Sequence, residues 1–399
     1  MRVTQSMLSN SNLKYISKNY DRLGTIQDQL MTGKKITKPS DDPVVAMKGM
    51  RYRTQVVEVK QFQRNLNEAF TWMDNADAAL EETTQVLHRI RELTVQASND
   101  SYDPVARGNI AKEIEKLQEH LVSLAETKVG DAYIFNGTNT SKSPINTNEM
   151  SMDSIKFIES LKNGEIANME DYVISFQGQT YEYDNQSKTF IVEPMVQIKD
   201  PNDSTKMITK PTASISIAPD GKVIQSNLQA LEYRDGEMVE VGRELSDTKN
   251  LVVSKNTAVS TNIEDVKIEV MKGVTIPINI RSQNAYSTNL FGGIESIKKM
   301  LNDPTTTGTE ITKALDTIDS MTNDVVATRA ELGAQVNRIE MVNDRLLQQK
   351  VVAEKTLSDN EDIDFEEVII DLTVQESLHR ASLAVGARII QPTLMDFLR

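Results

Sequence analysis

The sequence predicts a mostly α-helical chain with an inserted β-rich domain, in which a long antiparallel helical bundle is built from N- and C-terminal segments. Three observations predict it. Apolar residues recur at heptad spacing toward both ends of the 399-residue chain, the pattern of helices packed along one another. From about residue 136 to 290 the pattern becomes alternation broken by turn residues, as half-buried hairpins require. Aromatic residues make up only 5% of the chain, against 17 methionines and one tryptophan, Trp72, a balance that suits aliphatic seams. The length exceeds what one hydrophobic core usually organises, so two or three domains are expected.

Taken in order, Leu13, Ile16, Tyr20, Leu23 and Leu30 form a first, short seam. The stretch LMTGKKITKPSDDPVVAMKGM that follows reads as a hinge, with Gly33 and Pro39 ending one segment. Asp42 then supplies an N-cap acceptor and Pro43 the fixed φ of a first helical position. Beyond it Val59, Phe62, Leu66, Ala69, Met73, Ala76, Leu80, Thr83, Leu87 and Ile90 alternate steps of three and four. A helix from Pro43 to about Ala97 would be about 80 Å long at ~1.5 Å per residue, so it must lie along partners. Asp103-Pro104 opens one such partner, with Ile110, Ile114, Leu117, Leu121 and Leu124 in the same rhythm, and the two read as an antiparallel hairpin. A third Asp-Pro, Asp303-Pro304, precedes a register running from Ile311 to Leu357 that Thr322, Arg329, Asn343 and Lys350 interrupt. Val374, Leu378, Leu383, Val385, Ile389 and Ile390 make the last amphipathic segment.

Between the helical ends, DYVISFQGQTYEYDNQSKTFIVE, TASISIAPDGKVIQS and VKIEVMKGVTIPINI read as β-hairpins, with Gly178, Asn185 and Asp220-Gly221 supplying turn chemistry. The expected division is therefore residues 1–42 with 357–399, residues 43–135 with 291–356, and residues 136–290 as the β-rich insertion.

Charge and motif content exclude several functions. Formal net charge is −14, yet residues 1–60 hold 11 Lys+Arg against 5 Asp+Glu. The basic residues lack an aromatic stacking platform and the acidic remainder repels phosphate, so no nucleic-acid partner is expected. No apolar run reaches the roughly 18 residues of a membrane span, and the start lacks the apolar core of a cleavable signal. Zero cysteines exclude disulfides and thiolate chemistry. His88, His120 and His379 are scattered over helical patterns without ligand spacing, and no phosphate-cradling or nucleophile-elbow motif occurs. The run SDNEDIDFEEVIID lacks the central glycine of a calcium loop and reads as a solvated charge run before a helix. No catalytic, metal or cofactor-binding residue is expected.

Four stretches carry a resemblance: QLMTGKKITKPSDDPVVA, LHRIRELTVQASND, NDVVATRAELGAQVNRIE and QESLHRASLAVGARIIQPTLMDFLR. They resemble the flagellin and hook-associated protein family of bacterial flagella, over roughly residues 1–140 and 270–399. Pro39, Pro43, GDAYIFNGTNTSKSPI and GVTIPINI followed by LFGG look more like the hook-associated members at the hook–filament junction than filament flagellin. The resemblance implies a flagellin-like fold with an inner tube domain built from both terminal helices, and a structural, non-enzymatic role. It also implies export unfolded through the flagellar channel, an extracellular location, and a homo-oligomeric ring as the assembled form. The implied partners are a preceding hook-associated protein, flagellin and an export chaperone. Subunit contacts would fall on Leu13, Ile16, Tyr20, Leu23, Leu30, Leu378, Leu383, Val385, Ile389 and Ile390, and the hinge on Gly33, Pro39, Asp42 and Pro43. LHRIRELTVQ resembles the flagellin stretch read by the vertebrate innate receptor, with Arg89 and Leu93 at matching positions, although helix packing alone accounts for the apolar residues there. The alternatives are filament flagellin itself, a coiled-coil scaffold or adhesin, and an enzyme carried by the β-rich part.

Overall fold

The computed structural model describes residues 5–99, 103–166, 168–192, 196–199, 207–211, 213–218, 221–227, 231–234, 237–240, 243–245 and 248–390. The helices are α1 (Gln5–Thr32), α2 (Pro43–Ala97), α3 (Pro104–Ala125), α4 (Thr147–Met150), α5 (Ser154–Lys162), α6 (Ser282–Ala285), α7 (Thr288–Asn302), α8 (Gly308–Glu361) and α9 (Phe365–Ile390). The first seven strands are β1 (Lys128–Val129), β2 (Ala132–Tyr133), β3 (Tyr172–Phe176), β4 (Gln179–Asp184), β5 (Thr189–Ile191), β6 (Val196–Lys199) and β7 (Met207–Lys210). After them come β8 (Ala213–Ile217), β9 (Val223–Asn227), β10 (Leu231–Arg234), β11 (Glu237–Glu240), β12 (Arg243–Glu244), β13 (Val252–Lys255), β14 (Lys267–Met271) and β15 (Val274–Pro277). Two compact units result, Met1–Arg64 with Val342–Arg399, and Asn65–Met341. None of the described helices is long and apolar enough to cross a membrane.

The caps explain where helices start. Asp42 accepts from the Val44 and Val45 amides at 2.8 and 3.1 Å, and Asp103 accepts from Ala106 N at 2.7 Å, each with proline at the first helical position. The third Asp-Pro behaves differently, because Asp303 caps the end of α7 and α8 begins at Gly308. There the start is a capping box, in which Glu310 Oε2 accepts from Thr307 N while Thr307 Oγ1 accepts from Glu310 N.

In the second unit the heptad residues Leu66, Met73, Leu80, Leu87 and Ile90 of α2 are buried, as are Ile110, Ile114, Leu121 and Leu124 of α3. Arg89 pairs with Glu113 and Glu82 with His120, so α2 and α3 run antiparallel, as expected. Two of the interruptions in the α8 register have partners. Arg329 forms a two-pronged pair with Asp77, at 2.7 and 3.0 Å, and Thr322 bonds back to Ile318 O. Tyr286 closes this core with a buried hydroxyl contact to Thr83 at 2.8 Å.

The β-rich insertion is a seven-stranded antiparallel sheet in the order β12-β9-β8-β5-β4-β3-β13, with β6–β7, β10–β11 and β14–β15 as separate two-stranded hairpins. The β3–β4 turn sits at Gln177 and Gly178, both at positive φ, which is the backbone of a tight two-residue hairpin. Phe157 and Ile158 of α5 pack on Ile174, Tyr181, Phe190 and Ile215 of the sheet. The insertion is β-rich as expected and also holds two short helices, residues 147–150 and 154–162. Asp153 caps the longer of these helices by accepting from Ile155 N. Asp220 lies outside the described residues.

Candidate assembly surface

The stretch expected to act as a hinge and the terminal helix pair belong to the first unit, where most of the exposed large apolar side chains among the described residues also lie. Gly33 ends α1 at φ 68°, a conformation that costs glycine nothing, and its amide still bonds to Gln29 O at 2.8 Å. From there the chain runs beside residues 361–363. Lys35 N donates to Glu361 O at 2.6 Å, Ile363 N donates to Gly33 O at 3.1 Å, and Lys34 and Asp362 form an antiparallel bridge.

Side chains reinforce this backbone latch. Glu361, only 4% exposed, receives Arg53 through Nη2 at 2.8 Å and Nε at 3.2 Å, with Lys34 Nζ at 3.5 Å. Lys34 Nζ also reaches Asp362 at 2.6 Å, and Asn360 donates to Val45 O. Hydrogen bonds from Lys34 and Ser358 hold the Asp362 carboxyl below its ordinary range, and the Asp362 bond raises Lys34. The turn from Thr37 to Asp41, which contains exposed Pro39, closes on the Asp41 carboxylate, whose pKa the Lys38 amide lowers. Beneath the latch is a cavity of about 140 Å³ lined by Ile36, Pro39, Ala46, Met50 and Arg53. The run SDNEDIDFEEVIID is thus only partly a solvated face. Asp364 caps α9 by accepting from the Glu366 and Glu367 amides, but Glu361 and Asp362 are the partners of the hinge. That half of the hinge was missed because α8 continues past Leu357 to Glu361, and no local period marks a carboxylate whose partner lies 308 residues away.

The terminal helices α1 and α9 run antiparallel, with Asn19 Nδ2 donating to Ser382 Oγ at 3.1 Å and Gly386 lying against Asn12 and Ile16. Gln375 reaches Asn19 O, and the His379 ring meets Tyr20 at 5.8 Å between centroids. The expected seams therefore do not mate with each other throughout. Ile16, Leu23 and Leu30 are partly buried, but Leu13, Leu378, Leu383 and Val385 are exposed, Leu383 with 48% of its surface, and Tyr20 keeps 69% of its surface exposed beside His379. The line of α9 that faces α1 is Gln375, His379, Ser382 and Gly386. A signal for it exists in the sequence, a heptad spacing carried by small and polar residues, which a search for apolar residues passes over. Ile389 and Ile390 have side chains outside the described residues.

Arg89 and Leu93 sit in the second unit. Leu93 is 2% exposed and part of the packed face of α2, while Arg89 is exposed and held by Glu113 at 2.7 Å and Glu92 at 3.1 Å. Among the described residues no group of three or more His, Cys, Asp or Glu is placed to hold a metal ion. The surface offers an amphipathic helix pair covered on one side, joined to a latched hinge, which suits protein contact.

The model of the bacterial flagellin N-terminal helical region matches residues 3–140, and that of the bacterial flagellin C-terminal helical region matches residues 315–398. Polar flagellin F of Vibrio parahaemolyticus is 28% identical over 125 residues, 31% of this chain and 33% of that protein. Flagellar hook-associated protein 3 of Escherichia coli is 27% identical over 145 residues, 36% of this chain and 46% of that protein. The chain thus spans between a third and a half of these curated relatives. Among solved structures, a putative flagellar hook-associated protein from Vibrio parahaemolyticus superposes with a TM-score of 0.51 at 14% identity, covering 81% of this chain and 100% of that one. That likeness is one of fold.

Proposed function

The chain belongs to the family of bacterial flagellins and flagellar hook-associated proteins, and from that premise we propose that it is a structural adaptor joining the flagellar hook to the flagellin filament. The observation that carries the reading is the exposed apolar surface on α1 and α9. Leu13, Tyr20, Leu378, Leu383 and Val385 stay exposed in the single chain, and a concentration of exposed apolar side chains of this kind marks a surface for protein contact. In this reading the partners are further copies in a ring, the preceding hook-associated protein on one side and flagellin on the other, with an export chaperone before assembly. Residues 1–42 with 357–399 line the inner tube, residues 43–135 with 291–356 form the surrounding bundle, and residues 136–290 face outward. The protein works outside the cell by mechanical coupling and templating, with no covalent chemistry assigned to any residue.

A strain lacking the chain tests this. Hooks should persist without filaments, unpolymerised flagellin should collect in the medium, and added purified chain should restore growth at existing hook tips. Filaments that still grow would reject the junction role. A second reading, that the chain is itself the filament subunit, draws on its similar identity to polar flagellin F. It predicts that deletion removes exported flagellin altogether, and that the chain dominates sheared filaments, where a junction protein is a trace band.

A further inference from the structure

Near the hinge, the first unit pairs several of its charges internally. Lys34 and Arg53 hold Glu361 and Asp362, and Lys60 pairs with Glu354. Two stripes remain. On the first turns of α2, Val44, Met47, Lys48 and Arg51 recur at steps of three and four and are all exposed, on the side opposite buried Gly49 and Val56. On α9, Glu367, Ile370, Asp371, Val374 and Leu378 do the same and are all exposed, flanking the Gln375 line that faces α1. Lys48, Arg51, Glu367 and Asp371 form no ion pair among the described residues. One stripe is apolar and doubly basic, the other apolar and doubly acidic.

We propose that copies of this chain bind head to tail through these stripes, the acidic apolar face of α9 on one copy seating on the basic apolar face of α2 on the next. The proposal rests on the reading of the chain as a ring-forming adaptor and names the contact that builds the ring. Unlike patches meeting in this way give a heterologous interface, the kind that closes into a ring when the rotation allows. The isoleucine, valine and methionine side chains contribute burial, while the opposed charges set register and disfavour contact between like stripes. The stripes differ in sign because the chain is basic over residues 1–60 and acidic from Asp359 to Asp371.

The test complements a strain lacking the chain with K48E/R51E, with E367K/D371K, and with all four changes together. All four positions are exposed, so unchanged thermal melting and export of each variant serve as controls. Each one-sided reversal should lower the fraction of cells with filaments by roughly tenfold or more, since two attractions become repulsions, and the combined variant should restore it. One-sided variants as active as the natural chain would overturn the proposal, as would a combined variant that is folded and exported but fails. The adaptor reading would survive either result, because it falls only if deletion of the chain leaves filaments growing or abolishes exported flagellin. Because the chain has no cysteine, M47C/I370C offers a second readout by oxidative cross-linking on isolated hook tips. A ladder of oligomers is expected. Monomers alone, or bands that stop at a closed dimer, would overturn a head-to-tail contact.

Discussion

Replacing Gly49 by alanine should loosen the hinge latch in the natural chain and tighten it once Glu361 is gone. A Cβ at Gly49 would overlap the Glu361 carboxylate, with its Cδ at 3.1 Å, so the methyl group expels the carboxylate from its place. The expelled group forfeits Arg53, at 2.8 and 3.2 Å, and Lys34, at 3.5 Å. A charge-assisted hydrogen bond contributes ~1.5–3 kcal/mol, but the Arg53 and Lys34 side chains are 62% and 39% exposed. They regain water on release, which reduces each partner's share to about 1 kcal/mol. Against that loss of about 2 kcal/mol stands a gain of about 1 kcal/mol for alanine over glycine inside a helix. Gly49→Ala alone should therefore cost about 1 kcal/mol, Glu361→Ala about 2, and the double variant about 1 again. The Lys35 and Ile363 amides, bonded across the latch, report its opening by hydrogen exchange. Exchange should quicken about fivefold in Gly49→Ala, about thirtyfold in Glu361→Ala, and about fivefold in the double variant. A double variant that exchanges as fast as Glu361→Ala, or a Glu361→Ala chain that exchanges at the natural rate, would refute the assignment of Glu361 as the latch.

Three further outcomes are expected. Leu383→Asp, on the outward face of α9, should change melting by no more than ~0.5 kcal/mol yet block incorporation into flagella. Leu23→Asp, partly buried against α9, should also loosen the helix pair by ~1–3 kcal/mol, and circular dichroism melting beside an incorporation assay separates the two. Leu93→Ala should cost ~2–5 kcal/mol because it opens a cavity in a packed face, whereas Arg89→Ala should leave melting nearly unchanged. A receptor role for this stretch therefore requires that the folded monomer activate reporter cells and that Arg89→Ala weaken the signal. Silence of the natural monomer at high dose removes it. Titration should shape stability at both pH extremes. Burial pushes the Tyr181 hydroxyl up to about 12, so its contribution is complete below pH 10 and declines as pH rises through about 12, a decline that Tyr181→Phe should flatten. The hydrogen bonds from Arg91 to Asp319 and from Lys34 to Asp362 lower those carboxyls, so their contribution is present above pH 3.8 and is lost as pH falls below it.

The sequence by itself determined the long helices, the hairpins and the break between α1 and α2. Apolar residues repeating at 3.5 positions leave a helix no other way to bury Leu66 through Ile90, and Asp42-Pro43 and Asp103-Pro104 start helices through contacts within four residues. Gly33 at positive φ and the Gln177-Gly178 turn are equally local. Only the tertiary structure decided which face of each terminal helix is covered. Periodicity shows that α1 and α9 are amphipathic, but their contact runs along Asn19, Gln375 and Ser382, while Leu378 and Leu383 face out. It also decided that Glu361 is a latch, because a carboxylate in an acidic run looks solvated until Arg53 and Lys34, more than 300 residues away, are brought beside it. The physical reason is range: helix periods and caps act over one or two turns of the backbone, whereas the choice of a partner face depends on which side chains the rest of the chain brings alongside it.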